Sequence, residues 1–131
     1  MHRRLAELVE YLDAARAALL DALHRARPNA LVVLATTYDP SDGTGHIPGV
    51  LEQAGPLPLP VLDGLNDRIR TLAAATPRTA LADVHAHFMG HGVTAPEDER
   101  WYWRRSLIEP NAAGANEIRR LWRATLDVVE P

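Results

Sequence analysis

Two short apolar runs constrain the fold of this chain more than any other feature. Residues Ala30–Thr37 are apolar on both faces and rich in β-branched residues, and Ala80–Val84 is a short, mainly apolar run. Such runs are typical of strands buried on both sides of a parallel sheet. The segment Val61–Ala75 between them has the apolar spacing of an amphipathic helix. The sequence therefore predicts an α/β fold in which a βαβ unit with parallel strands is flanked by helices.

Two flanking helices complete the predicted domain, which takes residues 1–131 as a single, partial unit. Residues Arg3–Arg27 carry leucines at helical spacing opposite a charged face. The last helix opens at Asn111, a residue type that caps helix N-termini well. The predicted buried stripes are Leu5, Leu8, Val9, Leu12, Leu19, Leu20 and Leu23 in the first helix, and Ile118, Leu121, Trp122, Leu126 and Val129 in the last.

The composition excludes several classes of chemistry and partner. The chain has no cysteine, which rules out disulfides, thiolate metal sites and cysteine catalysis. All 14 basic residues are arginine, so no lysine is present to form a Schiff base. A net charge of −3 does not fit a nucleic-acid footprint, and no apolar stretch approaches the ~18 residues of a membrane span. With no signal-peptide pattern either, we expect a cytoplasmic protein with no nucleic-acid or membrane partner and no cofactor.

Polar side chains follow both predicted strands. Tyr38 and Asp39 come directly after the first strand, and the segment Thr79–Gly92 runs from the second strand into a predicted loop. This loop holds half of the chain's six histidines: His85, His87 and His91. Ligands of open α/β sheets bind outside the carboxyl ends of the strands. We therefore predict a functional site at this edge, although any single histidine here would also fit simple packing under the loop.

A long loop rich in proline and glycine is predicted over Tyr38–Pro60. Its acidic residues Asp39 and Asp42 flank Ser41, and together they have the composition of a cation site. Turn chemistry explains them more simply, because Asp and Ser side chains often bond nearby backbone amides. The turn interpretation is favoured, since a calcium-binding loop needs more acidic positions at fixed spacing.

Three aromatic residues stand among charges in the segment Pro96–Arg105. Aromatic residues beside arginines can stack on bases, but the acidic neighbours and the net negative charge argue against that use. We expect this segment to form a lid over the site or an apolar contact surface.

The predicted architecture of three helices and two strands is incomplete. Parallel sheets normally have several strands, and both edges of a two-stranded sheet would be open to pairing with another chain. We expect either a homo-oligomer or a larger fold whose first half lies outside this sequence.

Three segments resemble the carboxyl-terminal half of the SGNH/GDSL hydrolases: VVLATTYDP, LADVHAHF and IEPNAAGANEI. Pro110–Gly114 matches the family's PNxxG block, which opens the last helix. The family has a flavodoxin-like three-layer fold with about five parallel strands. The resemblance implies that this chain is equivalent to the second half of that fold. It also implies a serine-type esterase or acylhydrolase acting on a small-molecule ester.

The chain departs from that family at the catalytic blocks. The block with the nucleophilic serine is absent, and alignment of the PN pair places Ser106 and Glu109 at the family's Asp and His positions. A carboxylate is a weak base at neutral pH, so we expect a neighbouring histidine to serve instead. Gly64–Asp67 spells the family's GxND, but it opens a helix and is interpreted as accidental. The candidate residues are His87, His91 and Glu109 for catalysis, and Tyr38, Asp39 and Asn111 for substrate binding.

Two alternatives to ester hydrolysis stay open. The first is a zinc site with an open position, which three imidazoles can form. Side chains two apart on a strand share a face, so His85 and His87 of the HxHxxxH run could both point at one ion. The candidate ligands are Asp83, His85, His87, His91 and Glu109. The second alternative is a non-catalytic binding or assembly module, which the absent catalytic block and the open sheet edges favour.

Overall fold

The computed structural model describes residues 2–50 and 55–129. Within these ranges the chain forms a mixed α/β fold, and a short 3₁₀ turn covers Glu97–Glu99. The main elements in chain order are α1 His2–Ala26, β1 Val32–Ala35, α2 Leu59–Ala75, β2 Thr79–Ala82, α3 Val84–Phe88, β3 Tyr102–Trp103, β4 Ser106–Pro110 and α4 Ala112–Val129.

The predicted βαβ unit is confirmed. Strands β1 and β2 pair in parallel, with Val32 opposite Thr79 and Ala35 opposite Ala82. Both α2 and α4 pack on these strands, and α1 packs on α2. In β2, Ala80 and Ala82 are buried, whereas every residue of β1 stays partly exposed. In the described part of the chain β1 has a neighbouring strand on one side only, so its other edge is open.

The helix spans agree with the sequence prediction, but the predicted buried stripes of α1 and α4 are partly wrong. In α1, Leu20 is buried, whereas Leu19 is 61% exposed. In α4, Ile118 packs against the core while Trp122 is 47% exposed. The apolar arc of each helix is wider than the surface on which it packs, so part of the arc remains exposed. The stripe residues that are exposed are Leu8, Leu12, Leu19 and Leu23 of α1 and Trp122 and Leu126 of α4; the side chain of Val129 lies outside the described part.

The hairpin formed by β3 and β4 was not predicted. Tyr102 pairs with Pro110 and Trp103 with Ser106, with an irregular register between the two aromatic residues. Strands this short show too few alternating positions for a pattern to be recognised. Tyr102 is buried in the main apolar cluster with Val84 and Phe88. The predicted lid is therefore wrong for Tyr102, which is part of the core.

One other boundary differs from the sequence prediction. The predicted long loop ends at α2, which begins at Leu59, and residues 51–54 of that loop lie outside the described part. No helix in the described residues is long and apolar enough to cross a membrane.

Candidate functional site

The segments that follow β1 and β2 meet at the carboxyl edge of the sheet. The Thr36 hydroxyl, just after β1, donates to Asp83 Oδ1 at 2.8 Å. Arg70 of α2 donates to both oxygens of the same carboxylate, at 2.9 and 3.1 Å. The bonds from Arg70, which are the largest cause, and from Thr36 lower the pKa of Asp83 to about 2. The ionised Asp83 side chain thus links the ends of the two strands to α2 by hydrogen bonds.

The predicted histidine loop is wrong at its start, where the chain forms helix α3 instead. The Asp83 side chain caps this helix by accepting from the Ala86 amide at 3.2 Å. An aspartate directly before an apolar turn is a recognised helix-start signal, and it was available in the sequence. On a helix, residues two apart do not face each other, so His85 and His87 point in different directions.

Each of the three histidines has a different environment. His85 Nε2 lies 3.9 Å from Asp63 Oδ1 of α2, which is too long for a hydrogen bond. His87 Nε2 lies 3.0 Å from Glu117 Oε2 of α4. His91 stacks on an indole ring described below.

The alternative zinc site is not supported by this geometry. The described residues contain no group of three or more His, Cys, Asp or Glu side chains that could hold a metal ion. The prediction assumed that the histidines extend a strand, where alternate side chains share a face. The helical geometry of α3 separates them instead. The proposed ligands that fail to converge are Asp83, His85, His87, His91 and Glu109.

Glu117 is the functional candidate that sequence reasoning missed. Its carboxylate is 20% exposed and bridges His87 and Arg120, whose Nη1 lies 3.1 Å from Oε1. The hydrogen bond from His87 is the largest cause that lowers the pKa of Glu117, and Arg120 adds to it. In the sequence Glu117 is 30 positions from His87, so only the packing of α3 on α4 reveals the pair.

Trp101 brings His87 and His91 together. The His91 ring stacks on the indole with centroids 3.5 Å apart and an interplanar angle of 2°. The His87 ring is 5.2 Å from the same indole, and Phe88 contacts it edge-on at 5.1 Å. The two predicted catalytic histidines therefore share one aromatic platform.

Tyr38 and Glu109 form a second part of this edge. The Tyr38 ring stacks on Phe88 at 5.4 Å, and its hydroxyl donates to the Ile108 carbonyl at 3.3 Å. Burial is the main cause that raises the pKa of Tyr38, and the negative charge of Glu109 raises it further. Glu109 itself is exposed in β4, so it is accessible to a ligand at this edge.

The carboxylate of Asp39, a predicted substrate-binding residue, is buried and bonded within its own turn. It is 2% exposed, and its oxygens accept from the Ser41 amide at 2.9 Å, the Ser41 hydroxyl at 2.6 Å and the Gly43 amide at 2.7 Å. The bonds of Asp39 match the turn interpretation of the acidic loop, because their donors lie 2 and 4 positions away. Asp42 differs, since it accepts from the amides of Gly92 and Thr94 in the segment that follows α3.

Asn111 is likewise a structural residue, and its side chain is fully used. Its Oδ1 accepts from the Gly114 amide at 2.9 Å, which caps α4. Its Nδ2 donates to the carbonyls of Arg100 and Tyr102 at 2.7 and 3.1 Å. Asn111 thus fixes the start of α4 on the β3–β4 hairpin, and both of its amide donor contacts are to backbone carbonyls; its role in substrate binding stays a prediction.

The GxND sequence in α2 has a structural explanation as well. Asn66 is fully buried and exchanges two hydrogen bonds with the Thr37 backbone, at 2.8 and 2.9 Å. Gly64 lies inside the helix with open space around it. This agrees with the interpretation that the match is accidental.

Comparisons with protein-family models, with curated proteins and with solved structures gave no match. The candidate site therefore has to be interpreted from its own geometry.

Proposed function

We propose that this chain is equivalent to the carboxyl-terminal half of an SGNH/GDSL-type ester hydrolase, within a flavodoxin-like three-layer fold. The observation that carries the proposal is the PNxxG block at the start of α4. Asn111 caps the helix and bonds to the hairpin, and a Cβ at Gly114 would overlap the Trp101 carbonyl oxygen. The cap requires a residue such as Asn at position 111, and the close contact requires Gly at position 114. These are the two residue types that the PNxxG block specifies.

The proposed reaction is the hydrolysis of a small-molecule ester. A serine hydrolase needs a nucleophile, a base within hydrogen-bond reach and oxyanion donors. Ser41 does not fit the role of nucleophile, because it is fully buried and its hydroxyl is bonded to Asp39. This part of the fold would supply His87, His91 and Glu109, and the nucleophile would come from a complementary half of the sheet.

The test is intact-mass detection of fluorophosphonate labelling, with p-nitrophenyl acetate turnover measured alongside. It compares this chain alone with the product translated from any in-frame coding sequence upstream of Met1. We expect no adduct on the chain alone, and one adduct on an upstream serine of the longer product. Ser106→Ala is the control and should leave that labelling unchanged. A longer product without a labelled serine would refute the proposal, as would an adduct at Ser41 or Ser106.

A second candidate function is assembly without catalysis, with a second copy of this chain as the partner. The observation that favours it is the open edge of β1 together with the exposed apolar residues of α1 and α4. An unpaired strand edge can add the strand of another molecule. Sedimentation velocity across micromolar concentrations tests this candidate. A dimer that Val33→Pro dissociates would support it, because proline removes a backbone donor of β1, whereas a stable monomer would refute it.

A further inference from the structure

We propose that His87 and Glu117 form the proton-transfer pair of this site, with His87 as the general base and Glu117 as its positioning residue. The inference rests on the proposed hydrolase function and specifies which of the candidate side chains moves the proton. It is carried by the 3.0 Å contact between His87 Nε2 and Glu117 Oε2 across the packed α3 and α4 helices.

The contact selects one tautomer of the neutral imidazole. An ionised carboxylate can only accept hydrogen bonds, and the bonds from His87 and Arg120 keep the pKa of Glu117 below its usual range. The proton of the neutral ring therefore lies on Nε2, which donates to Glu117. Nδ1 keeps its lone pair, so it is the nitrogen that can accept a proton from a nucleophile.

Both partners are held by their surroundings. The His87 ring rests beside Trp101, and its side chain is 35% exposed, which leaves the ring accessible. Arg120 Nη1 donates to the second oxygen of Glu117 at 3.1 Å, so both carboxylate oxygens have a partner. A histidine oriented by a carboxylate, with its other nitrogen accessible, is the arrangement that acyl transfer uses.

The other candidates lack this combination. His91 is stacked flat on Trp101, and no described residue forms a side-chain hydrogen bond with its ring. His85 lies beyond hydrogen-bond distance from Asp63, which is itself exposed. Glu109 occupies the motif position of a base but carries a carboxylate in place of an imidazole.

In the proposed reaction, His87 takes a proton in the first step and gives it back in the second. As a water or serine hydroxyl oxygen attacks the ester carbonyl carbon, His87 Nδ1 takes the hydroxyl proton. When the intermediate collapses, the bond from the carbonyl carbon to the leaving oxygen breaks, and the imidazolium returns the proton to that oxygen. Glu117 stays ionised throughout and stabilises the imidazolium, as the carboxylate of a triad does.

The first test is the tautomer of His87, read by long-range ¹⁵N–¹H NMR of the intact chain near neutral pH. We expect the Nε2–H tautomer in the wild type and a mixture of tautomers in Glu117→Ala. Glu10→Gln, at an exposed position of α1, is the control and should leave the His87 spectrum unchanged. An Nδ1–H tautomer in the wild type, or no response to Glu117→Ala, would overturn the assignment.

The second test is the slow cleavage of p-nitrophenyl acetate, which an accessible imidazole promotes without a serine. We expect His87→Ala to remove most of the chain's rate above buffer and Glu117→Gln to lower it, while His85→Ala leaves it unchanged. Equal rates in His87→Ala and His85→Ala would refute a special role for His87. Neither test needs the complementary half, so failure of the hydrolase proposal alone would leave both results intact.

Discussion

Replacement of Gly114 by alanine should destabilise the fold, although alanine is the better helix former. A Cβ built on Gly114 would overlap the Trp101 carbonyl oxygen and lie 3.0 Å from the Trp101 Cβ. The carbonyl belongs to the backbone, so it cannot move away as a flexible side chain would. Gly114 also lies within the first turn of α4, where its amide donates to Asn111 Oδ1. Relief of the clash would therefore shift the helix start away from its cap.

The expected magnitude follows from two opposing terms. Overpacking of a close contact costs about 1–3 kcal/mol, whereas the exchange of glycine for alanine in a helix gains up to ~1 kcal/mol. The net loss should be about 1–2 kcal/mol in the free energy of unfolding. For a domain of this size that corresponds to a fall in melting temperature of roughly 4 °C per kcal/mol.

Gly64 offers a matched control, because it lies inside α2 with no atom within 4 Å of an added Cβ. Gly64→Ala should gain about 0.5–1 kcal/mol. Both variants reduce the entropy of the unfolded chain alike, so the difference between them isolates the clash. Urea denaturation followed by far-UV circular dichroism measures both free energies. The reasoning would be refuted if Gly114→Ala were as stable as Gly64→Ala.

Two further predictions concern the ties around the site. Asn111→Ala should lose about 2 kcal/mol in the free energy of unfolding, because it removes a helix cap and two hydrogen bonds to backbone carbonyls. The control is Asn116→Ala at an exposed position, which should change that free energy by no more than about 0.5 kcal/mol in the same urea assay. Asp83→Asn should be less stable than the wild type near neutral pH, because the bonds from Arg70 lower the pKa of Asp83 from 3.8 to about 2. That stability is present above the unfolded-state pKa and is lost as the pH falls through the folded-state value. Unfolding curves from roughly pH 5 down to pH 2 should therefore show the two proteins converging, and a constant difference would contradict the assignment.

The long helices could be predicted from the sequence because their apolar pattern repeats, whereas the short strands could not. The helices α1, α2 and α4 run for 17 residues or more, so their periodicity is clear and their bounds were predicted closely. Strands β3 and β4 have 2 and 5 residues, which is too short for alternation to stand out. Their pairing depends on contacts with Asn111 and on the burial of Tyr102, neither of which a local pattern contains.

The candidate site was predictable in place but not in detail. The parallel strands and their polar continuations predicted that the segments after β1 and β2 meet at one edge of the sheet, because all strands of such a unit end on the same side, and the contact of Thr36 with Asp83 shows that they do. The prediction took His85 and His87 as neighbours on an extended chain, and the cap at Asp83 makes that segment helical instead. Glu117 could not be found by local reasoning, since its partner is brought to it by tertiary packing alone.

The apolar faces of α1 and α4 are wider than the surfaces that these helices bury against the described part of the chain. A helix packed on one neighbour buries a stripe of limited width, yet α1 presents leucines on both the buried and the exposed side of that stripe. Trp122 and Leu126 extend the apolar surface of α4 in the same manner. Burial of these side chains would stabilise the folded state by about 25 cal/mol for each Å² of apolar surface removed from water. The complementary-half proposal and the second-copy proposal share one expectation: a further piece of protein would pair with the open edge of β1 and cover part of these apolar side chains.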